Sequence, residues 1–222
     1  GRVNLVSDVG GVDRSTYGEL ARRGGHIGRE AVSSGPPFFC HCGEAEIRNY
    51  YQAIADAAGL PVIMYASPRS GVQITWDMVD RFMDIPEMAG VKWTSYDYYT
   101  MHRIKSLRGG NINVINGPDE CLLCGLVMGA DGGIGATYNV MPKVFQTIYE
   151  SYRRGDYEAA KAAQFQANRL IDLLLQYGVV CGIKDILGMI GYDCGYQVYP
   201  QKRFSQEEQA RFRKALKDIS YE

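Results

Sequence analysis

A single lysine lies within an apolar, strand-forming stretch near the middle of the chain. The stretch reads Gly-Val-Lys-Trp-Thr-Ser over residues 90–95, so that Lys92 lies among β-prone residues and just before hydroxyl side chains. Burying a charged amine is costly, and a lysine in a desolvated pocket therefore tends to be neutral. A neutral amine can condense with a ketone to form a Schiff base. The plainer interpretation is a lysine at a strand end whose amine reaches into water, and the neighbouring segments decide between the two.

Three further segments place reactive or polar side chains directly after strand-like runs. Tyr65 ends one run, and its phenol could carry a proton. Asp119 and Glu120 follow another run, and residues 135–139 follow a third. Each has an ordinary explanation, because a tyrosine at a strand end is usually packed and acidic residues are favourable at a helix N-terminus. Together with Lys92, they predict a pocket that holds an amine nucleophile, a phenolic proton carrier and a carboxylate pair for hydroxyl groups.

The elements that must position these residues alternate between short strand-like runs and helical patterns. Such alternation predicts parallel strands with helices packed outside them, and barrels of this kind keep their active sites at the C-terminal ends of the strands. Helical spacing of apolar residues covers residues 44–58 and 77–83. The predicted strands cover residues 3–6, 31–33, 61–65, 90–94, 112–115 and 133–137.

From residue 142 onward the strand-like runs stop and helical patterns follow. One helix is predicted over residues 157–176, with Asp156 as its N-cap. Ser205 and Glu208 form a capping-box pattern that predicts the start of a last helix. The chain therefore divides into a β/α part, residues 1–141, and a helical region, residues 142–222, packed on it.

Counting the strands predicts an incomplete barrel. A closed (β/α)8 barrel has eight units in about 250 residues, whereas six units are counted here. The predicted fold class is therefore α/β, a TIM-type (β/α)8 barrel lacking its first two β/α units, whose six strands correspond to the third to eighth. The first strand, near Val3, and the last, near Ile134, should each have an unpaired edge. Three glycines within residues 22–28, where a crossover helix is required, predict a short or irregular segment.

The composition excludes several classes of partner. With 222 residues, a net charge of −1 and a pI near 6.4, nothing in the charge favours binding to nucleic acid or to an anionic membrane. The apolar runs are far shorter than a membrane span, and the first residues lack the order of a signal peptide. We therefore expect a cytoplasmic protein with a small-molecule ligand.

The six cysteines do not form a metal-binding pattern. They could be a disulfide framework or a zinc site, but no histidine or second CxxC pair accompanies Cys121 and Cys124 at metal spacing. Ordinary thiols are expected. The cysteines are at positions 40, 42, 121, 124, 181 and 194.

Four motifs give the chain a family resemblance. It resembles the N-acetylneuraminate lyase and dihydrodipicolinate synthase group of class I aldolases from about residue 1 to the C-terminus, and within that group it looks more like the lyase branch. The residues that carry the resemblance are YASP at 65–68, GVKWTS at 90–95, INGPDE at 115–120 and GADGGIGATYN at 129–139.

The resemblance implies a reaction and a role for each matching residue. Lys92 is implied as the Schiff-base residue and Tyr65 as the proton relay, with no metal and no organic cofactor. The substrate is implied to be a 2-keto sugar acid, cleaved to pyruvate and an aldehyde, and the assembly a homotetramer. Ala136 stands where the lyase branch commonly has a hydroxyl side chain. The implied substrate contacts are Thr94, Gly117, Asp119, Glu120 and Ala136.

Two alternatives remain open at the level of sequence. One is another pyruvate-dependent aldolase or dehydratase of the same family, since one barrel fold serves many substrates. The other is a catalytically impaired relative that binds a keto acid or a sugar without turning it over.

Overall fold

Six strands form one parallel sheet in the part of the chain that the structure describes, residues 5–37, 41–219 and 221. The structure is a computed structural model. The strands are β1 (Val6–Asp8), β2 (Ala31–Ser34), β3 (Val62–Ala66), β4 (Met88–Trp93), β5 (Asn113–Asn116) and β6 (Gly132–Gly133), and they neighbour one another in sequence order. The α-helices are α1 (Arg14–His26), α2 (Glu44–Ala58), α3 (Trp76–Phe82), α4 (Tyr98–Ser106), α5 (Leu122–Val127), α6 (Pro142–Arg153), α7 (Tyr157–Tyr177), α8 (Val179–Met189) and α9 (Gln206–Asp218).

The predicted α/β class and the six parallel strands are confirmed, with changes at both ends of the sheet. β1 begins at Val6, whereas the sequence places a strand over 3–6, of which residues 3 and 4 lie outside the described residues. The strand predicted over 133–137 is wrong beyond its first residue, because β6 ends at Gly133 and Ala136–Asn139 is a 3₁₀ helix. Within the described residues β1 pairs only with β2, and β6 only with β5.

The chain separates into two compact units. The first comprises the described residues up to Pro118 together with Val127–Gly133, and it contains the six described strands. The second comprises Asp119–Leu126 and the residues from Ile134 onward, and it is helical. The predicted boundary at residue 141, between a β/α part and a helical region, was drawn where the strand-like runs stop, and it stays a prediction.

In the first unit, one face of the sheet packs against the helices and the other face carries the candidate site residues of β3 and β4. Successive side chains of a strand point to opposite faces. Val32, Met64 and Val91 are fully buried in the core that the sheet forms with its helices. The alternate positions, which include Tyr65 and Lys92, therefore lie on the other face.

The second unit is a helical core in which helices α7 and α9 have side-chain N-caps. Its buried residues include Ile148, Leu174 and Phe212. The predicted caps are confirmed: the Asp156 carboxylate accepts the amide of Ala159, and the capping box at the start of α9 is present. No helix in the described part of the chain combines the length and the apolar character needed to span a membrane.

Helix α1 corrects the expectation of an irregular segment over residues 22–28. The helix runs without interruption to His26 because its glycines allow close packing. A Cβ on Gly24 would lie 3.0 Å from Val32 Cγ1, and a Cβ on Gly25 would lie 2.6 Å from the carbonyl oxygen of Ala58. The lower helix propensity of these glycines is thus offset by the contact of α1 with β2 and with the end of α2.

This packing predicts opposite effects for two Gly→Ala substitutions in the same helix. Gly25→Ala should destabilise the protein by about 1–3 kcal/mol, since the new methyl group meets a backbone carbonyl. Gly18→Ala should stabilise it by about 0.5–1 kcal/mol, because the nearest atom is the mobile tip of Arg22 at 3.7 Å and alanine favours helix. Urea denaturation of both variants measures the difference. A stable Gly25→Ala protein would contradict the close approach.

Candidate functional site

Lys92 and Tyr65 lie side by side on neighbouring parallel strands. Tyr65 of β3 pairs in register with Lys92 of β4, and Lys92 pairs in turn with Ile115 of β5. The Lys92 Nζ atom lies over the Tyr65 ring, 4.3 Å from its centroid. Both side chains are half-buried. Among the described residues no carboxylate forms an ion pair with Lys92.

Thr94 and Gly117 pack tightly against each other beside this pair. The amide of Thr94 donates to the carbonyl of Ala66 at 2.8 Å, and the amide of Gly117 donates to the carbonyl of Trp93 at 2.8 Å. A Cβ on Gly117 would lie 2.7 Å from Thr94 Cα and Cβ and would overlap the hydroxyl. Within the described residues the buried Thr94 hydroxyl has no hydrogen-bond partner. Glycine is therefore required at 117 for the position that Thr94 holds.

In the second unit, the Asp119 carboxylate organises the turn that follows β6. Its Oδ2 accepts the amide of Thr137 at 2.8 Å and the Thr137 hydroxyl at 2.6 Å. A Cβ on Gly135 would overlap the same carboxylate. Asp119 is buried, whereas Ala136, between the two contacting residues, is exposed.

Two residues that the sequence analysis did not single out hold the main chain of the acid pair. The Gln164 side chain donates to the carbonyl of Asp119 at 3.1 Å, and the Asn168 side chain donates to the carbonyl of Glu120 at 3.1 Å. Gln164 is 5% exposed and lies on the buried stripe of α7, between buried alanines. A polar residue at a buried position of a helical pattern is a signal that could have identified it.

Tyr138 contributes a buried phenol to the same unit. Its ring stacks on Phe145 with the centroids 3.8 Å apart. Burial is the main cause that raises the pKa of Tyr138 well above its usual range, and the charges of Asp119 and Glu120 add to the effect. The phenol therefore stays protonated, and its hydroxyl has no hydrogen-bond partner in the described part of the chain.

The predicted site residues thus fall into two groups, one in each unit. The first group brings an amine, a phenol and a hydroxyl together, and the second places two carboxylates on a turn held by its neighbours. The roles assigned to the seven residues stay predictions. The first group is Tyr65, Lys92, Thr94 and Gly117, and the second is Asp119, Glu120 and Ala136.

Metal-binding side chains do not cluster in the described residues. Cys42, Cys124, Cys181 and Cys194 are free thiols, and Cys40 lies outside the described residues. Over the described ranges, no three histidine, cysteine or acidic side chains come close enough together to hold a metal ion.

Comparison with known proteins relates the chain to one family. The profile of the Dihydrodipicolinate synthetase family matches residues 1–219. An N-acetylneuraminate lyase from Enterobacter sp. (strain 638) is 37% identical over 189 residues, which are 84% of this chain and 63% of that protein. The chain therefore spans less than two thirds of the length of the curated relatives that it matches.

Solved structures give the same relationship. A catalytic lysine mutant of the Ruminococcus gnavus sialic acid aldolase superimposes with a TM-score of 0.94 at 27% identity, covering 99% of this chain and 74% of that one. The N-acetylneuraminate lyase from Fusobacterium nucleatum complexed with pyruvate gives a TM-score of 0.90 at 30% identity, covering 98% of this chain and 73% of that one.

Proposed function

Because the chain belongs to the dihydrodipicolinate synthetase family, we propose that it is a Schiff-base aldolase. Its substrate is a 2-keto sugar acid similar to N-acetylneuraminate, and its products are pyruvate and an aldehyde similar to N-acetylmannosamine. The observation that carries the proposal is the Lys92 amine, which lies over the Tyr65 ring without an ion-pair partner in the described residues. The catalytic lysine of the Ruminococcus gnavus relative and the pyruvate bound to the Fusobacterium nucleatum relative support it.

The reaction uses the two side chains in sequence. Lys92 attacks the C2 ketone, water leaves, and a protonated imine forms. Tyr65 relays a proton: its phenol donates to a carboxylate oxygen of the substrate as it accepts the proton of the C4 hydroxyl. The C3–C4 bond breaks in the same step, and the electrons of that bond pass to the iminium nitrogen. The aldehyde leaves, the enamine is protonated at C3, and hydrolysis releases pyruvate and the free amine. No external cofactor is needed because the iminium is the electron sink.

The remaining residues bind substrate in this proposal. The Thr94 hydroxyl lies close to Lys92 along the chain and has no described partner, so that it can bond to the pyruvyl end. Asp119 and Glu120 act on the hydroxyl groups of the aldehyde end. Since one oxygen of Asp119 already bonds to Thr137, Asp119 acts partly by holding the turn that carries Ala136.

We also propose that the six strands correspond to the third to eighth strands of a (β/α)8 barrel. The solved relatives cover nearly all of this chain, whereas the chain covers about three quarters of theirs. A cytoplasmic location and a homotetramer are proposed on the family resemblance. The partners are then the 2-keto acid, pyruvate and further copies of the chain.

Ala136 favours a second candidate function within the same chemistry. A methyl group at an exposed position of the turn cannot donate a hydrogen bond, whereas a hydroxyl side chain could. An aldolase or dehydratase for a less hydroxylated 2-keto acid would have no use for that bond. Rates of pyruvate release from N-acetylneuraminate and from shorter 2-keto acids distinguish the two.

Borohydride trapping tests the proposed function directly. Reduction in the presence of pyruvate should add the mass of one reduced pyruvate to the protein, and peptide mapping should locate it on Lys92. Lys105 is an internal control, because its amine is engaged by Asp131 at 2.8 Å and by the carbonyl of Ile112 at 3.0 Å. A protein that acquires no adduct, or only scattered adducts on surface lysines, would be a binder rather than an aldolase.

Asp119→Asn tests the assignment of the two ends of the substrate. The variant keeps an oxygen that accepts from Thr137 but loses the charge. We expect the kcat/KM for N-acetylneuraminate to fall by about tenfold or more while trapping of pyruvate on Lys92 changes little. Asp172→Asn, at an exposed position of α7, is the matched control. Equal losses for both ligands would place Asp119 at the pyruvyl end or in the structure alone.

A further inference from the structure

The side chain of Gln164 stands between two groups that a regular α-helix would bond directly. In such a helix the carbonyl of residue 119 would accept the amide of residue 123. Here the amide of Leu123 donates to Gln164 Oε1 at 3.0 Å, and Gln164 Nε2 donates to the carbonyl of Asp119 at 3.1 Å. One side-chain amide therefore bridges the two positions from α7, 41 residues away from Leu123.

This bridge coincides with the irregular turn that carries the acid pair and precedes α5. Asp119–Cys121 is a 3₁₀ turn, and α5 begins only at Leu122. A side chain inserted into the hydrogen-bond ladder of a helix changes the direction of the chain there. The two carboxylates consequently leave the main chain at positions that a regular α-helical turn would not give them.

Asn168 completes the arrangement one turn further along α7. Its Oδ1 accepts from Gln164 Nε2 at 2.9 Å, which orients the amide, and its Nδ2 donates to the carbonyl of Glu120 at 3.1 Å. Both carbonyls of the acid pair are thus held from one long helix. The carboxylate of Asp119 is held separately, by Thr137.

Packing alone does not account for an amide at position 164. Burying an amide is unfavourable unless its hydrogen bonds are made, and an apolar side chain avoids that cost. The neighbouring buried positions on the same helix are Ala160, Ala163 and Ala167, which pack without polar groups. The hydrogen bonds of Gln164 to the main chain, rather than its packing, therefore explain an amide at this position.

We propose that Gln164 and Asn168 are positioning residues for Asp119 and Glu120, and that they set selectivity for the polyhydroxylated end of the substrate. The claim about selectivity rests on the proposed aldolase function. The hydrogen bonds of Gln164 and Asn168 to the main chain of residues 119, 120 and 123 do not depend on that function.

Gln164→Met tests both claims, because methionine has a similar length and no hydrogen-bonding amide. Without the bridge, residues 119–123 should rewind toward a regular α-helical turn and shift both carboxylates. A shift of the carboxylates by about 1 Å should lower the kcat/KM for N-acetylneuraminate by about tenfold to a hundredfold. Trapping of pyruvate on Lys92 should change by no more than about twofold, since the pyruvyl end does not use these carboxylates. Gln146→Met, an exposed glutamine on α6, is the control.

The outcomes separate this proposal from the proposed function. A wild-type protein that neither traps pyruvate nor cleaves 2-keto acids disproves the aldolase function and, with it, the role in selectivity. The crystal structure of Gln164→Met then still shows whether Gln164 holds the main chain of residues 119–123 in the 3₁₀ turn. An unchanged 3₁₀ turn in that structure, or equal losses of cleavage and trapping, overturns the positioning role.

If Gln164→Met does not fold, Gln164→Glu replaces it, because its carboxylate accepts from Leu123 but does not donate to Asp119 near neutral pH. Unchanged selectivity in Gln164→Glu likewise overturns the proposal.

Discussion

Replacing Lys92 by alanine is expected to abolish both borohydride trapping of pyruvate and cleavage of 2-keto acids, with turnover reduced by at least about a thousandfold. In the proposed mechanism, the Lys92 amine is the protein group that forms a covalent bond to the substrate. Its loss leaves no electron sink for the C3–C4 bond, and no bound group in the mechanism can replace it. Turnover is measured by coupled detection of pyruvate, and trapping by intact mass.

The fold should survive this change because Lys92 forms no ion pair in the described part of the chain. Lys92→Arg is the matched variant, since it keeps a long side chain with nitrogen donors but lacks a nucleophilic amine. The free energy of unfolding of both variants should lie within about 1 kcal/mol of the wild-type value, as measured by urea denaturation. Trapping that persists in either variant would move the Schiff base to another lysine.

Tyr65→Phe is expected to reduce cleavage by about a hundredfold to ten-thousandfold, the usual contribution of a positioned proton carrier. The phenyl ring keeps the surface over which the Lys92 amine lies, so that imine formation with pyruvate should persist. The variant therefore separates the two halves of the reaction. The measurement is kcat for N-acetylneuraminate together with the yield of the reduced pyruvate adduct.

Tyr157→Phe provides the control for loss of a phenol, because Tyr157 is 58% exposed at the start of α7. Its kinetics should match those of the wild-type protein. Cleavage that is undiminished in Tyr65→Phe would remove the phenol from the proton path and require another carrier for the C4 hydroxyl proton.

Local sequence patterns predicted the elements whose boundaries depend on local chemistry. The helix over residues 44–58 has the predicted bounds, and the capping pair Ser205 and Glu208 marks the start of α9. Caps and apolar spacing act over a few residues, so that a single sequence contains them. The alternation of strands and helices also predicted that Tyr65 and Lys92 lie on consecutive parallel strands, which the structure has as β3 and β4.

The errors occur where a distant contact decides the local structure. The glycines of α1 are unfavourable by propensity alone, and only the approach of Val32 and Ala58 explains a continuous helix. The turn around Ala136 is likewise not a strand, since the Asp119 carboxylate binds the amide and hydroxyl of Thr137. Residue types predict such contacts only when the partner is known.

The bridge from Gln164 shows the same limit within the candidate site. Its partners lie more than forty residues earlier in the chain, and no spacing rule connects α7 with the acid pair. The N-cap pattern at Asp156 identified α7 as a helix, but it did not indicate which polar residue of the helix holds the acid pair. The chemistry of a site can therefore be found from its reactive residues, while the residues that hold them require the fold.

The tight packing around two glycines, one in each unit, limits how the candidate site residues could be redesigned. Any side chain at 117 would displace Thr94, and any side chain at 135 would displace the Asp119 carboxylate, so that neither position is useful in a mutant library. Ala136 lies between Gly135 and Thr137, yet it is exposed. A directed-evolution experiment that seeks new aldehyde acceptors should therefore randomise residue 136 and leave both glycines unchanged.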